Sequence, residues 1–269
     1  MSVRLETVEI PVEDQRLDGT VLSPARRIPG VLFVHGWGGR QAHDLSRARE
    51  VAGLGAVCLT FDLRGHERNE DQRRTVNREQ NLADLCAAYD WLVGERNVDP
   101  EAIAVVGISY GGYLASILST RRKVRWLVLR SPALYQDEGW DLPKRQLHEQ
   151  IDLDAWRRRH IDWQENRSLQ AAAAFTGDVL VVAAENDETI PRQVIDNYVA
   201  AFRQPRSLTS RVLAGADHAL SGKTMQNDYN AVLVKWLTEM IVGARAGDAA
   251  SQVERHKQTN PKPPAGSGR

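Results

Sequence analysis

The chain has 269 residues, 42% of them hydrophobic, enough for one large α/β domain with a sizeable core. Lysine plus arginine and aspartate plus glutamate number 35 each, so no net field draws the chain to nucleic acid or to a membrane, and neither partner is expected. No apolar run reaches the length of a membrane span and the amino terminus has no signal-peptide core, so the expected location is cytoplasmic.

Alternation at Val3, Leu5 and Thr7, then from Val8 to Val12, precedes a turn signal at Asp18-Gly19 and a second run, Thr20-Val21-Leu22; together they predict a β-hairpin ahead of the main sheet. Val31-Leu32-Phe33-Val34 is wholly apolar and reads as a buried strand. The loop after it, His35-Gly36-Trp37-Gly38-Gly39, carries glycines that let backbone amides approach a substrate oxygen. A strand follows over 56–61, then the segment Phe61-Asp62-Leu63-Arg64-Gly65-His66, then a helix over 79–94. Cys58 in that strand and Cys86 in that helix read as reduced core thiols, since one pair makes no disulfide framework.

The next strand, 103–106, runs into Gly107-Ile108-Ser109-Tyr110-Gly111, and a helix is predicted over 110–120. A tight strand-to-helix turn crowds any side chain two residues from the serine, which gives Gly107 and Gly111 a steric role. The helix start then aims unpaired amides at negative charge developing beside Ser109.

A strand over 124–129 precedes a long stretch, from 133 to about 176, with helix-like patches and no strand. We expect a small helical cap there, about 134–176, with Trp140, Trp156 and Trp163 as candidates to line an acyl or aryl pocket. The basic runs Arg121-Arg122-Lys123 and Arg157-Arg158-Arg159-His160 read as solvated helix ends or faces. A buried strand over 179–184 leads to Asp187, a helix spans 193–202, and a strand over 209–213 leads to Ala214-Gly215-Ala216-Asp217-His218. A helix over 229–242 closes the domain, 1–243, and the polar, proline-bearing stretch 244–269 is expected to be a disordered tail.

Alternating strands and helices predict a mostly parallel central sheet with helices on both faces and functional residues at the carboxyl ends of the strands. His35, Ser109, Asp187 and His218 all fall there, and Ser109, Asp187, His218 is the chain order of a Ser-Asp-His constellation on such a sheet. From about residue 5 to 243 the chain resembles the α/β-hydrolase superfamily, most of all its dienelactone-hydrolase, serine-aminopeptidase and prolyl-oligopeptidase-like branches. His35-Gly36-Trp37-Gly38-Gly39 matches the H-G-x-G-G oxyanion loop, Asp62 to His66 the D-x-R-G-H segment, and Asn81-Leu82-Ala83-Asp84-Leu85 through Asp90-Trp91-Leu92 the helix before the nucleophile strand. The glycine and serine that usually follow D-x-R-G-H are replaced by Glu67 and Asn69.

The expected activity is that of a serine hydrolase, a carboxylesterase cleaving small or medium acyl esters. Ser109 is the nucleophile, His218 the base and Asp187 the acid, favoured over its neighbours Glu185 and Glu188 by strand-end position and family resemblance. The Tyr110 amide and, by resemblance, the Trp37 amide form the oxyanion hole. His35, His66 and Arg64 read first as loop braces, and Asp217 as a solvated neighbour. No cofactor and no metal is called for, and the partner is a small-molecule ester. The alternatives are a peptidase or amidase of the same fold, with Asp137, Glu138 and Asp141 offering acids for an amine, and a non-catalytic ligand-binding protein. Homo-oligomerisation stays open, with tail and cap each offering surface for a contact.

Overall fold

Backbone pairing begins with β1 (Val3–Val12) and β2 (Gln15–Pro24), an antiparallel two-stranded sheet of its own. The turn is not at Asp18-Gly19 as the dipeptide suggests: Asp18 pairs with Glu9 and Gly19 with Val8, and the chain reverses between Val12 and Gln15. The longer ladder made by reversing there outweighs a local turn preference. The protein is described by a computed structural model covering residues 3–12, 15–24, 27–147 and 152–259.

The main sheet comprises β3 (Ile28–Val34), β4 (Val57–Thr60), β5 (Val98–Ile108), β6 (Trp126–Arg130), β7 (Asp178–Asn186) and β8 (Ser207–Asp217), in the order β4-β3-β5-β6-β7-β8. Every neighbouring pair is parallel, which requires helical crossovers. These include α1 (Leu45–Gly53), α2 (Arg78–Gly94) and α3 (Tyr110–Leu118).

The two-residue period of the strands divides the core in two. Leu32, Val34, Val105, Leu127, Leu129 and Val181 face one side, where Leu82 and Leu85 of α2 and Leu114 of α3 cover them. Val31, Phe33, Ala104, Val106, Val128 and Val182 face the other, against Val51 of α1 and Leu233 and Leu237 farther along the chain. Each such aliphatic side chain, fully buried, contributes about 1.5–3 kcal/mol of transfer free energy, so the register of the central strands is strongly specified. α2 starts at a capping box, in which Asn77 accepts from the Gln80 amide (2.8 Å) and Gln80 accepts from the Asn77 amide (3.0 Å).

Between β6 and β7 lies the expected insertion: a 3-10 turn Lys144–Gln146, α4 (Leu153–Arg157), a 3-10 turn Trp163–Glu165 and α5 (Arg167–Ala174). The last of these belongs to the helical layer and not to a cap. Ser116 of α3 donates to the Ser168 carbonyl at 2.8 Å, and Leu169 and Ala172 join the main core. Arg78 ties α2 to the start of the insertion through the carbonyls of Gln136 (2.5 Å) and Glu138 (2.8 Å).

After α6 (Arg192–Ala201) and β8 the last described element is α7 (Lys223–Thr259), 37 residues long. The disorder expected from 244 onward is therefore not what the structure shows as far as Thr259. The stretch 244–259 has four alanines, two arginines and two glutamines, good helix formers, and no proline; prolines come only later, at 261, 263 and 264. The rest of the expected tail, 260–269, lies outside the described residues. Among the described residues no helix is long and apolar enough to cross a membrane, and no group of three or more ligating side chains could hold a metal.

Candidate active site

Ser109 sits between β5 and α3 with φ 52 and ψ −115, a backbone conformation that residues with a side chain rarely adopt. The two flanking glycines explain how the chain tolerates it. A Cβ on Gly107 would lie 2.6 Å from the Gly111 carbonyl oxygen, and one on Gly111 would lie 2.6 Å from the carbonyl oxygen of His35. The turn is held from below by the Ser109 amide donating to the Arg130 carbonyl (2.9 Å).

The β7–β8 register brings Asn186 opposite Asp217, so the residues that follow, Asp187 and His218, meet across the strand ends. His218 Nδ1 donates to Asp187 Oδ2 at 2.8 Å, and its Nε2 lies 3.1 Å from Ser109 Oγ, placed to accept the hydroxyl proton. Asp187 is anchored by the amides of Thr189 (3.0 Å) and Ile190 (2.8 Å) at its other oxygen. Burial pushes its carboxyl up, but the hydrogen bonds from His218 and Ile190 outweigh that and hold it below the usual carboxylate range. Of its neighbours, Glu188 is exposed and Glu185 accepts from the Gly215 amide (2.6 Å). Asp217 accepts from the Ser221 amide at 2.9 Å, a turn contact.

The loop of Trp37 passes directly over the serine: a Cβ on Gly36 would lie 3.2 Å from Ser109 Cβ. Two histidines latch this loop to the segment after β4. His35 Nε2 accepts from the Leu63 amide (3.1 Å) while its Nδ1 donates to the Gly36 carbonyl (2.8 Å). His66 Nε2 accepts from the Gly38 amide (2.9 Å), leaving Nδ1 to donate to Leu63 and Arg64 carbonyls at 3.2 Å. Arg64 in turn grips Asp84 of α2 (Nε to Oδ1, 2.7 Å). Glu67 takes φ 45, which accounts for the glycine that family members usually carry there. The Tyr110 hydroxyl donates to Asn81 (3.0 Å), and the Trp37 and Tyr110 rings meet edge to face at 5.5 Å.

Both latch histidines must be neutral to accept a backbone N–H. Burial lowers the His35 pKa, and burial together with the nearby His35 lowers that of His66 to about 4. Above the ordinary histidine pKa both folded and unfolded rings are neutral, and stability is unaffected. Below it the unfolded ring takes a proton that the folded ring refuses, so stability falls on acidification. For His66 alone the loss reaches about 2 kcal/mol near pH 5, and His35 adds to it. Urea midpoints compared at near-neutral pH and near pH 5 test this, and identical midpoints would refute it.

Two buried cations near the site carry no sequence motif. Arg130, 6% exposed at the end of β6, donates to the His218 carbonyl at 2.7 Å and so helps to seat that loop. Its only signal was a charged residue closing an apolar run. Lys144, 1% exposed, places its ammonium 4.6 Å from the centre of the Trp37 ring and 5.2 Å from that of Tyr110.

The expected pocket aromatics lie elsewhere. Trp140 donates its indole N–H to Glu79 (2.8 Å) and stacks under Arg167, while Trp156 and Trp163 pack on the core. None of the three lines the cavity beside Trp37, whose walls are Trp37, Glu70, Asp71, Arg73, Arg74 and Arg145. Cys58 and Cys86 are free, and burial raises both thiols, Cys58 to about 12, which keeps them protonated and unreactive.

With this geometry in view, the model of the prolyl oligopeptidase family matches residues 43–243. The chain belongs to the prolyl oligopeptidase family. This family member is 32% identical over 225 residues to the uncharacterized protein Rv2307c of Mycobacterium tuberculosis, covering 80% of this chain and 71% of that protein. Its fold is that of the α/β hydrolases. The thermostable carboxylesterase EstE1, cloned from a metagenomic library, superposes with a TM-score of 0.58 at 20% identity, over 88% of this chain and 89% of that one. The acylaminoacyl peptidase of Pyrococcus horikoshii does so with a TM-score of 0.60 at 14% identity, over 90% of this chain and 42% of that one.

Proposed function

We propose that the protein is a serine hydrolase, and a carboxylesterase acting on small or medium acyl esters. The observation that carries this is the relay from Asp187 through His218 to Ser109, with contacts of 2.8 and 3.1 Å, ending on a serine held at φ 52. Ser109 Oγ attacks the ester carbonyl while His218 Nε2 takes its proton; Asp187 holds the ring tautomer and stabilises the imidazolium. The oxyanion rests against the amides of Tyr110 and Trp37, each worth about 2.7–4 kcal/mol in the transition state. His218 gives the proton to the departing alcohol, and a water activated by the same ring then releases the acid and restores Ser109.

The peptidase reading has a specific support in the family itself and in the acylaminoacyl peptidase likeness. Against it, the acids that would seat a peptide amine are engaged or exposed. Asp137 is held by Arg167 (Nε, 3.1 Å; backbone amide, 3.0 Å), and Asp141 is exposed. A fluorophosphonate probe, with 4-nitrophenyl esters from acetate to laurate set against aminoacyl 4-nitroanilides, separates the readings. Labelling of Ser109 with ester turnover is the expected result. Anilide turnover without ester preference moves the assignment to a peptidase, and an unlabelled Ser109 with neither activity leaves a ligand-binding protein.

A further inference from the structure

The cavity beside Trp37 has a volume of about 670 Å³, and three of its six lining side chains are arginines. They come from two distant places: Arg73 and Arg74 from the 3-10 segment Glu67–Arg74, and Arg145 from the 3-10 turn Lys144–Gln146 of the insertion. The first is the very segment in which Glu67 and Asn69 replace the usual family residues. These charges are only partly balanced. Glu70 faces Arg73 at 3.6 Å; Asp71, Arg74 and Arg145 are all exposed, and among the described residues neither Arg74 nor Arg145 has an ion-pair partner.

Positive charge also gathers on Trp37 itself, with the Arg73 guanidinium 5.8 Å and the Lys144 ammonium 4.6 Å from the ring centre. Trp37 thus joins the two places: its neighbour Gly36 lies against Ser109, and Trp37 itself lines the cavity. A neutral alkyl chain would meet the Trp37 ring and the arginine stems here but would make no use of the guanidinium groups. A carboxylate would meet planar donors suited to bidentate hydrogen bonding.

We propose that this cavity is a subsite for a carboxylate carried by the substrate, so that the ester cleaved is an anionic one. The inference rests on the serine-hydrolase reading of Ser109. The carboxylate is carried either by the acyl group, as in a monoester of a dicarboxylic acid, or by the leaving group.

Two matched pairs of esters distinguish these sources: 4-nitrophenyl hydrogen adipate against 4-nitrophenyl hexanoate, and 4-carboxyphenyl hexanoate against phenyl hexanoate. In one pair kcat/KM should favour the charged member by about tenfold, and the preference should fade as salt is raised. The ratio should collapse toward unity in the double variant Arg74→Gln, Arg145→Gln, whose melting curve checks its folding. No preference in either pair, or a preference that survives in the double variant, overturns the proposal.

A binding measurement needs no turnover. Calorimetric titration of the Ser109→Ala protein with each charged ester should give one Kd that weakens by about tenfold when both arginines are replaced. An unlabelled Ser109 beside intact, arginine-dependent binding would sink the hydrolase and keep the subsite. A labelled Ser109 with charged and neutral esters bound alike would do the reverse.

Discussion

Ser109→Ala is expected to lower kcat for 4-nitrophenyl butyrate by about four to six orders of magnitude while the protein stays folded. The hydroxyl that would form the acyl bond lies 3.1 Å from His218 Nε2, and alanine removes it. Alanine keeps the same backbone conformation at φ 52, so little change in Tm accompanies the loss. The three residues act as one unit, and the effects of removing them should not add. His218→Ala alone, Ser109→Ala alone and the pair together should fall to a similar floor, set by substrate binding and the oxyanion amides. Steady-state kinetics on the purified variants decide it. Activity within tenfold of wild type in Ser109→Ala would remove the nucleophile assignment.

Gly111→Ala should be the most damaging small substitution in the chain. The new Cβ would press into the carbonyl oxygen of Val34 and lie 2.6 Å from that of His35. Both are backbone atoms at the end of β3, which is paired on both sides by β4 and β5, and neither can turn aside as a side chain would. Relief requires α3 to lift off β3, which opens the elbow and the loop of Trp37 together. We expect a loss of about 4 kcal/mol or more, a fall in Tm of about 8 °C or more, and no measurable esterase activity in whatever remains folded. Gly53→Ala is the control: at the end of α1 its Cβ meets nothing within 4 Å, and it should be neutral or slightly stabilising. Thermal and urea unfolding of the two variants side by side test the argument, and a Gly111→Ala protein with wild-type Tm refutes it.

The elbow, the parallel sheet and the candidate constellation were legible in the chain because each is written locally. A strand covered on both faces must be apolar at every position, as in Val31 to Val34 and Val179 to Val182. The crowding that demands Gly107 and Gly111 comes from neighbours within a few residues or from the next strand, so the motif and its cause lie together. Asp187 and His218 were readable because each ends an apolar run, and strands of one parallel sheet end on one side.

Other features were not legible, because they depend on which segments meet. A D-G pair announced a turn that the β1–β2 register absorbed into a ladder. The stretch after 243 looked too polar to order, yet it continues a helix already nucleated on the core by Leu233 and Leu237. The insertion's tryptophans suggested a pocket, while the cavity at Trp37 is built by Arg73, Arg74 and Arg145 instead. Arg130 seats the His218 loop across 88 residues of sequence. No periodicity records such meetings. Burial dictates the pattern within a strand or helix, but the contacts between a loop after β4, a turn in the insertion and the end of β6 follow from the packing of the whole sheet, where many weak interactions choose one register together.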